Sequence, residues 1–214
     1  MASAQAAGLA AAWPALPEGT KAMASNVAGS VVRAHIEAAC AQRDLAVTFI
    51  RSASHAAGVS NGYRDPAQLG TDRWAGLVAA HHAGGGHKLV VNAGTALTID
   101  ALACDGRFLG GLIVPGPALM RRSLDRGTAG LRLTEGTLRE FPESTPDAIT
   151  SGAIQAAVGA VERLAGLMAA RGCPPGRIIL SGGAAAEIAK SLPITTIHHE
   201  NLVLDGLLLI ARNS

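Results

Sequence analysis

The residues of this chain best suited to chemistry lie between positions 90 and 116, in the run VVNAGTALTIDALACDGRFLGGLIVPG. An apolar strand breaks there at Gly94-Thr95, resumes through Thr98 and Asp100, turns at Asp105-Gly106 and runs on to Gly110-Gly111. Gly94 lets the backbone approach a ligand closely, while the Thr95 hydroxyl and neighbouring N–H groups suit a phosphate oxygen. The plainer alternative is a three-stranded meander with a hairpin at Asp105-Gly106, whose glycines serve only turns. Asp72 and Arg73 follow Gly70 near a helix start, a pattern that on its own is often a surface ion pair. Tyr63 is the only tyrosine and precedes the Asp65-Pro66 turn. Thr145 before Pro146 reads as a helix N-cap, and Gly182-Gly183 as a turn into a helix. The histidine pairs His81-His82 and His198-His199, with His87, do not read as a metal site. Adjacent side chains diverge, and no acidic ligand sits at a suitable spacing.

Three strands, about 88–92, 96–103 and 107–114, carry the central motif and lead into a helix opening at Pro115-Gly116-Pro117. A long helix, a strand over 177–181, a helix, a strand over 194–197 and a last helix follow. This order resembles one lobe of a ribonuclease H-like sheet. Two such lobes face each other in the actin-like and sugar-kinase architecture, where hairpin turns from both grip the phosphates of ATP. Upstream, the pattern predicts a strand over 20–26, a helix over 30–43, a strand over 45–50 and a helix over 68–82. The first of these helices is expected to turn Val31, Ala34, Ile36, Ala38 and Ala39 inward. These elements match the later part of a lobe. The fold class expected is therefore α/β, with two ribonuclease H-like lobes of the actin-like kinase fold and the first incomplete. Residues 1–19 form a linker or non-family segment, 20–86 the partial first lobe and 87–214 the second. The opening segment is alanine-rich, uncharged until Glu18 and broken by Pro14 and Pro17, without the basic start of a signal peptide.

Composition sets the class. A chain of 214 residues with 49% hydrophobic content can bury a core. No run approaches the ~18 apolar residues of a membrane span, so no membrane partner is expected. A formal charge of +2 and 3% aromatic content do not point to nucleic acid. Arg121, Arg122 and Arg126 read as a basic helix surface. Cys40, Cys104 and Cys173 are odd in number and widely spaced, which suits free thiols in a reducing cytoplasm.

Four collinear blocks carry a family resemblance. The segment Asn92-x-Gly94-Thr95-Ala96-x-Thr98-x-Asp100, continued by Gly106 and Gly110-Gly111-x-Ile113-x-Pro115-Gly116, resembles the second phosphate motif of type III pantothenate kinases. Asn61-Gly62-Tyr63-x-x-Pro66-x-x-Leu69-Gly70-x-Asp72-Arg73-Trp74-Ala75 is similar to that family's pantothenate-binding and catalytic segment. Thr145-Pro146-x-Ala148-Ile149-x-x-Gly152 resembles the stretch that places a threonine on the substrate. Leu180-Ser181-Gly182-Gly183-Ala184 resembles the strand and turn on the adenosine side.

The resemblance implies ATP-dependent phosphorylation of pantothenate to 4'-phosphopantothenate, the first step of coenzyme A biosynthesis. It further implies a cytoplasmic homodimer with pantothenate near the subunit interface. Such transfer needs positioning, charge neutralisation and a carboxylate near the attacking hydroxyl. Asp72 is the residue expected to supply that carboxylate. Arg73 beside it would keep Asp72 ionised or neutralise charge on the substrate or phosphoryl group. Tyr63, Gly70, Asp72, Arg73 and Thr145 would contact pantothenate, and Gly94, Thr95, Gly182 and Gly183 would hold ATP. The implied cofactors are Mg2+ and a monovalent cation, K+ or NH4+. Asn92 stands where the family usually has an aspartate associated with that cation, so the oxygen is kept and the charge lost. The family's first motif, Asp-x-Gly-Asn-Thr, is not found before Thr20. The alternative reading is a non-catalytic truncated homologue that retains dimerisation or substrate binding.

Overall fold

The computed structural model describes residues 13–127 and 135–213. The predicted linker therefore lies outside the described residues up to position 12. Its remainder is held to the turn after the first helix, where Arg43 Nη2 donates to the carbonyls of Trp13 and Pro14.

Two parallel strands, β1 (Lys21–Ala24) and β2 (Ala46–Phe49), pair from Lys21 opposite Ala46 to Ala24 opposite Phe49. Helix α1 (Ser30–Ala41) is their crossover. Its buried residues are Val32, Ala39 and Cys40, whereas Val31 is 64% exposed and Ala34 and Ala38 face solvent. The inward stripe thus runs 32, 36, 39 and 40 rather than through Val31, Ala34, Ala38. Alanines fit either face of a helix, so they carry little information about which face packs.

A two-residue hairpin, β3 (His55–Ala56) with β4 (Val59–Ser60), leads to helix α2 (Thr71–His82). The helix predicted from position 68 is split. Pro66–Gln68 form a 3-10 turn capped by the Asp65 side chain, and Leu69 is extended, so α2 begins afresh after Gly70.

The remaining strands form one five-stranded sheet, in the order β7 (Phe108–Pro115), β6 (Ala96–Leu102), β5 (Lys88–Ala93), β8 (Arg177–Ser181) and β9 (Thr196–His198). The pairs β5–β6 and β6–β7 are antiparallel, and β5–β8 and β8–β9 parallel. The expected meander and the expected strand over 177–181 are both present.

Both sheet faces are covered. Leu89, Val91, Leu97, Ile99, Ile178 and Leu180 pack under helix α4 (Thr145–Ala170), which follows helix α3 (Pro117–Gly127). On the other face Val90, Leu102, Phe108 and Ile179 meet Trp74, Leu77 and Val78 of α2 and Leu202 of helix α6 (Leu202–Arg212). A short helix, α5 (Ala185–Ala189), follows β8. Successive strand residues point to opposite faces, so an unbroken apolar run such as Leu89-Val90-Val91 reads as a strand buried on both sides. Helix α4 is long and apolar enough to cross a membrane by length and composition, yet Ile154, Ala157, Val158 and Val161 are spent on the sheet core.

Helices α2 and α6 touch backbone to backbone at Gly206, where an added Cβ would stand 1.9 Å from the Ala75 carbonyl oxygen. On α4, Asp147 accepts the Thr137 N–H at 2.7 Å, while Ser151 Oγ accepts the Arg139 N–H at 2.9 Å, seating residues 135–139 on the first turns. The Thr137 N–H, and after it the Ser144 hydroxyl, hold the Asp147 carboxyl below its ordinary value.

Gly206→Ala is expected to push the two helices apart, and overpacking of this kind costs about 1–3 kcal/mol. In a chain of this size a thermal melt should then show a midpoint lowered by roughly 3–10 °C. The Asp147 contribution is present above the unfolded aspartate value of about 3.9 and fades as pH falls through the lower folded value. The Thr137 amide resonance should accordingly titrate with a midpoint under about 3.9 and lose that titration in Asp147→Asn; a midpoint above that value contradicts the assignment.

Candidate active site

The start of α2 sets two chemically active side chains in different directions. Gly70 enters the helix in extended conformation (φ −54°, ψ 136°), and a Cβ there would lie 2.7 Å from Asp72 Oδ1. Asp72 turns back over the helix start and accepts the Arg73 N–H at 2.8 Å, where the positive end of the helix dipole favours a carboxylate. Its other face borders a cleft of about 560 Å³ shared with Ser25, Asn26, Val27, Asn92 and Leu204. The Ser25 and Thr71 hydroxyls, 2.7 Å apart, tie the loop after β1 to the helix start.

Arg73 does not pair with Asp72. Consecutive helix residues diverge by about 100°, and the guanidinium runs inward to Asp100 on β6. Arg73 Nε donates to both Asp100 oxygens at 3.2 Å, and Nη2 reaches Oδ1 at 2.5 Å. Arg73 is 6% exposed and Asp100 1%. Burial pushes the Asp100 carboxyl up from its ordinary value, and the adjacent guanidinium pulls against that shift. Burial alone would lower Arg73, but the bonds to Asp100 and Tyr63 prevail and hold it charged.

Arg73 Nη1 donates to the Tyr63 hydroxyl at 3.0 Å, and the Tyr63 ring rests 5.3 Å from that of Phe108. Asn61 fixes this loop: its Oδ1 accepts the Tyr63 N–H at 3.0 Å and its Nδ2 donates to the Ala53 and Pro66 carbonyls. Gly62 lies so close to β7 that a Cβ would stand 2.1 Å from the Phe108 carbonyl oxygen.

The two glycine turns predicted to hold ATP, Gly94-Thr95 on the phosphate side and Gly182-Gly183 on the adenosine side, sit at the carboxyl ends of neighbouring parallel strands, β5 and β8. Gly94 and Thr95 are exposed, and the Gly116 N–H closes their turn on the Thr95 carbonyl at 2.8 Å. Gly182 has φ +91° and passes so near β5 that a Cβ would lie 2.7 Å from the Ala93 carbonyl and 2.8 Å from Asn92 Oδ1. Gly183 continues the turn, and the Ala184 N–H donates to the Ala93 carbonyl at 3.1 Å. Asn92 is thus the junction: it touches the Gly182 turn and lines the same cleft as Asp72.

Thr145 stands apart. It is exposed in the first turn of α4, which covers the sheet face opposite α2. The N-cap is Ser144, whose hydroxyl accepts the Asp147 N–H at 3.3 Å, so the capping role read for Thr145 belongs one residue earlier.

Asp100, the buried partner of Arg73, reads from the sequence only as a strand continuation within the motif. A lone acid in the apolar run Leu97-Thr98-Ile99-Asp100-Ala101-Leu102 was the available signal. Among the described residues no three His, Cys, Asp or Glu side chains cluster as metal ligands. All three cysteines are unpaired.

The family model described as type III pantothenate kinase matches residues 2–166. A type III pantothenate kinase of Azoarcus sp. strain BH72 is 45% identical over 201 residues, covering 94% of this chain and 74% of the relative. That of Methylibium petroleiphilum strain PM1 is 46% identical over 193 residues, covering 86% and 75%. That of Burkholderia cenocepacia is 43% identical over 215 residues, covering 94% and 81%. Among solved structures, a Campylobacter jejuni protein described as a conserved Baf family transcriptional activator aligns with a TM-score of 0.58. It is 22% identical over 91% of this chain and 83% of its own, which speaks to the fold alone. With a family model spanning most of the sequence, and relatives of this identity over most of their own length, the chain belongs to the type III pantothenate kinase family.

Proposed function

We propose that this chain transfers the γ-phosphoryl group of ATP to the terminal hydroxyl of pantothenate, giving 4'-phosphopantothenate and ADP at the entry to coenzyme A biosynthesis. The observation that carries this reading is the shared cleft: Asp72 and Asn92 border it, and the Gly94-Thr95 and Gly182-Gly183 turns adjoin Asn92.

Asp72 accepts the hydroxyl proton as the oxygen attacks the γ-phosphorus and the bond to the ADP oxygen breaks. Its hydrogen bond from the Arg73 N–H leaves carboxylate lone pairs for that proton. Gly94 and Thr95 present backbone N–H groups and a hydroxyl to the phosphates, and Gly182 and Gly183 let the nucleotide lie against β8. Tyr63, Gly70 and Arg73 orient pantothenate. Thr145 lies on the other sheet face, and a homodimer whose interface borders the pantothenate site is the arrangement that would bring it there.

Mg2+ supplies charge neutralisation on the transferring phosphates when bound, held largely by ATP itself; among the described residues lining the cleft, Asp72 is the one carboxylate. A monovalent cation would find neutral oxygens at Asn92 Oδ1 and the Ala93 carbonyl, both close to Gly182. The two sheets are read as the facing lobes of an actin-like kinase. The same reading makes it a cytoplasmic enzyme without a membrane or nucleic-acid partner, and the packing of α4 on the sheet core supports a core helix rather than a membrane span.

A coupled assay of ADP release with ATP, Mg2+, K+ and pantothenate tests the reading, run on this chain and on one extended upstream through Asp-x-Gly-Asn-Thr. Pantothenate-dependent release from either supports it; none from both, with both folded, replaces it with the non-catalytic homologue. Asp72→Asn should lower kcat by about 10²-fold or more while leaving ATP affinity nearly intact, and undiminished turnover would remove Asp72 from the chemistry. Asn92→Asp should shift the potassium concentration giving half-maximal rate, because it adds a charge to the oxygen set. An unchanged titration assigns the cation elsewhere.

A further inference from the structure

Asp100 lies on the α2 face of β6 because strand residues alternate, with Leu97, Ile99 and Ala101 committed to the α4 face. A carboxylate buried there beside Leu102 and Phe108 is costly unless fully hydrogen-bonded and paired. Arg73 meets both its oxygens.

A second feature is built around the same pair. Gly111 stands opposite Asp100 in the β6–β7 ladder. A Cβ at 111 would come within 2.2 Å of Asp100 Oδ1, 2.6 Å of the Ile99 carbonyl oxygen and 2.8 Å of Arg73 Nη2. Glycine inside a strand weakens it and often marks a close approach; here it makes room for the ion pair and for the β6 backbone at Ile99.

The pair in turn fixes the direction of a third group. Arginine donates and cannot accept, so in the Arg73 Nη1 to Tyr63 contact the tyrosine oxygen is the acceptor. The Tyr63 hydrogen is then free for another acceptor, and the guanidinium polarises the O–H that carries it.

We propose that Asp100 and Gly111 are positioning residues for substrate recognition, holding Arg73 so that Tyr63 serves as an O–H donor to an acceptor oxygen of pantothenate, its carboxylate or an amide carbonyl. This rests on the reading that Tyr63 and Arg73 contact pantothenate. Asp100 itself, enclosed by Arg73 and the sheet, acts only through them.

The test measures kcat and both KM values, with pantothenate affinity by calorimetry, for Arg73→Ala, Tyr63→Phe, Asp100→Asn, Gly111→Ala and the double variant Asp100→Asn/Tyr63→Phe. Asp100→Asn should raise the pantothenate KM by about tenfold or more, as expected for losing a charge-assisted hydrogen bond, and leave the ATP KM within about twofold. Tyr63→Phe should add little in the Asp100→Asn background, because the hydroxyl has already lost its orientation. A folded Asp100→Asn protein with wild-type pantothenate KM overturns the inference, as does full additivity in the double variant. If Asp100→Asn fails to fold, Gly111→Ala decides: it keeps every side chain of the pair while displacing it, and a wild-type KM counts against the proposal. If Arg73→Ala leaves pantothenate binding intact, the substrate reading falls and takes this inference with it. A loss in Arg73→Ala without a loss in Asp100→Asn removes the positioning role alone.

Discussion

The ion pair between Arg73 and Asp100 is the constraint on which the site depends. It joins the first turn of α2 to the middle strand of the β5–β6–β7 meander, across a layer otherwise filled by Leu102, Phe108 and Trp74. A buried pair of this kind offers little net stability, since desolvation consumes most of the attraction. What it supplies is a fixed register: the helix cannot rotate or slide without leaving a charge unpaired in the core. Asp72, one residue away and pointing elsewhere, inherits its position from that restraint. Tyr63 inherits its hydrogen-bond direction from the same guanidinium.

A second set of constraints is steric. Gly62, Gly116 and Gly182 each run so near another backbone that a single added carbon would collide with a carbonyl. Gly62 seats the Tyr63 loop on β7, Gly116 closes the Gly94-Thr95 turn, and Gly182 brings the end of β8 against Asn92. The parallel pairing of β5 with β8 already places the two turns at one edge of the sheet, where open α/β sheets commonly bind ligands. The glycines remove the last few ångströms between them. Asp72 and the two glycine turns thus converge because one ion pair fixes α2 and close backbone contacts fix the loops.

The cleft also has an apolar side. Val27, Leu204 and Leu207 line it, with Val27 60% and Leu204 61% exposed. Its floor is the two-stranded β1–β2 sheet, and α6 forms one wall while packing through Gly206 on α2. The wall of the cleft and the helix bearing Asp72 are therefore one mechanical unit.

Much of this was legible in the sequence. The meander showed because period-two alternation and the Asp105-Gly106 turn are local signals, and the four motif blocks identified the family by their order. The family resemblance marked Asp72, Arg73 and Tyr63, since on its own an Asp-Arg pair at a helix start reads as a surface ion pair. The α1 face was misread because alanines do not discriminate between inside and outside. The cap at Thr145 was placed one residue late because Ser144 and Thr145 offer the same chemistry at adjacent positions. The partner of Arg73 was beyond local reasoning: Asp72 is its neighbour in the chain, and Asp100 is its neighbour in space. That choice follows from the divergence of helix side chains and the parity of β6, which together bring residues 27 positions apart into contact. The sequence determined the elements and the chemical groups, because those follow from local pattern; the tertiary structure decided which groups meet, because pairing depends on packing two faces against each other.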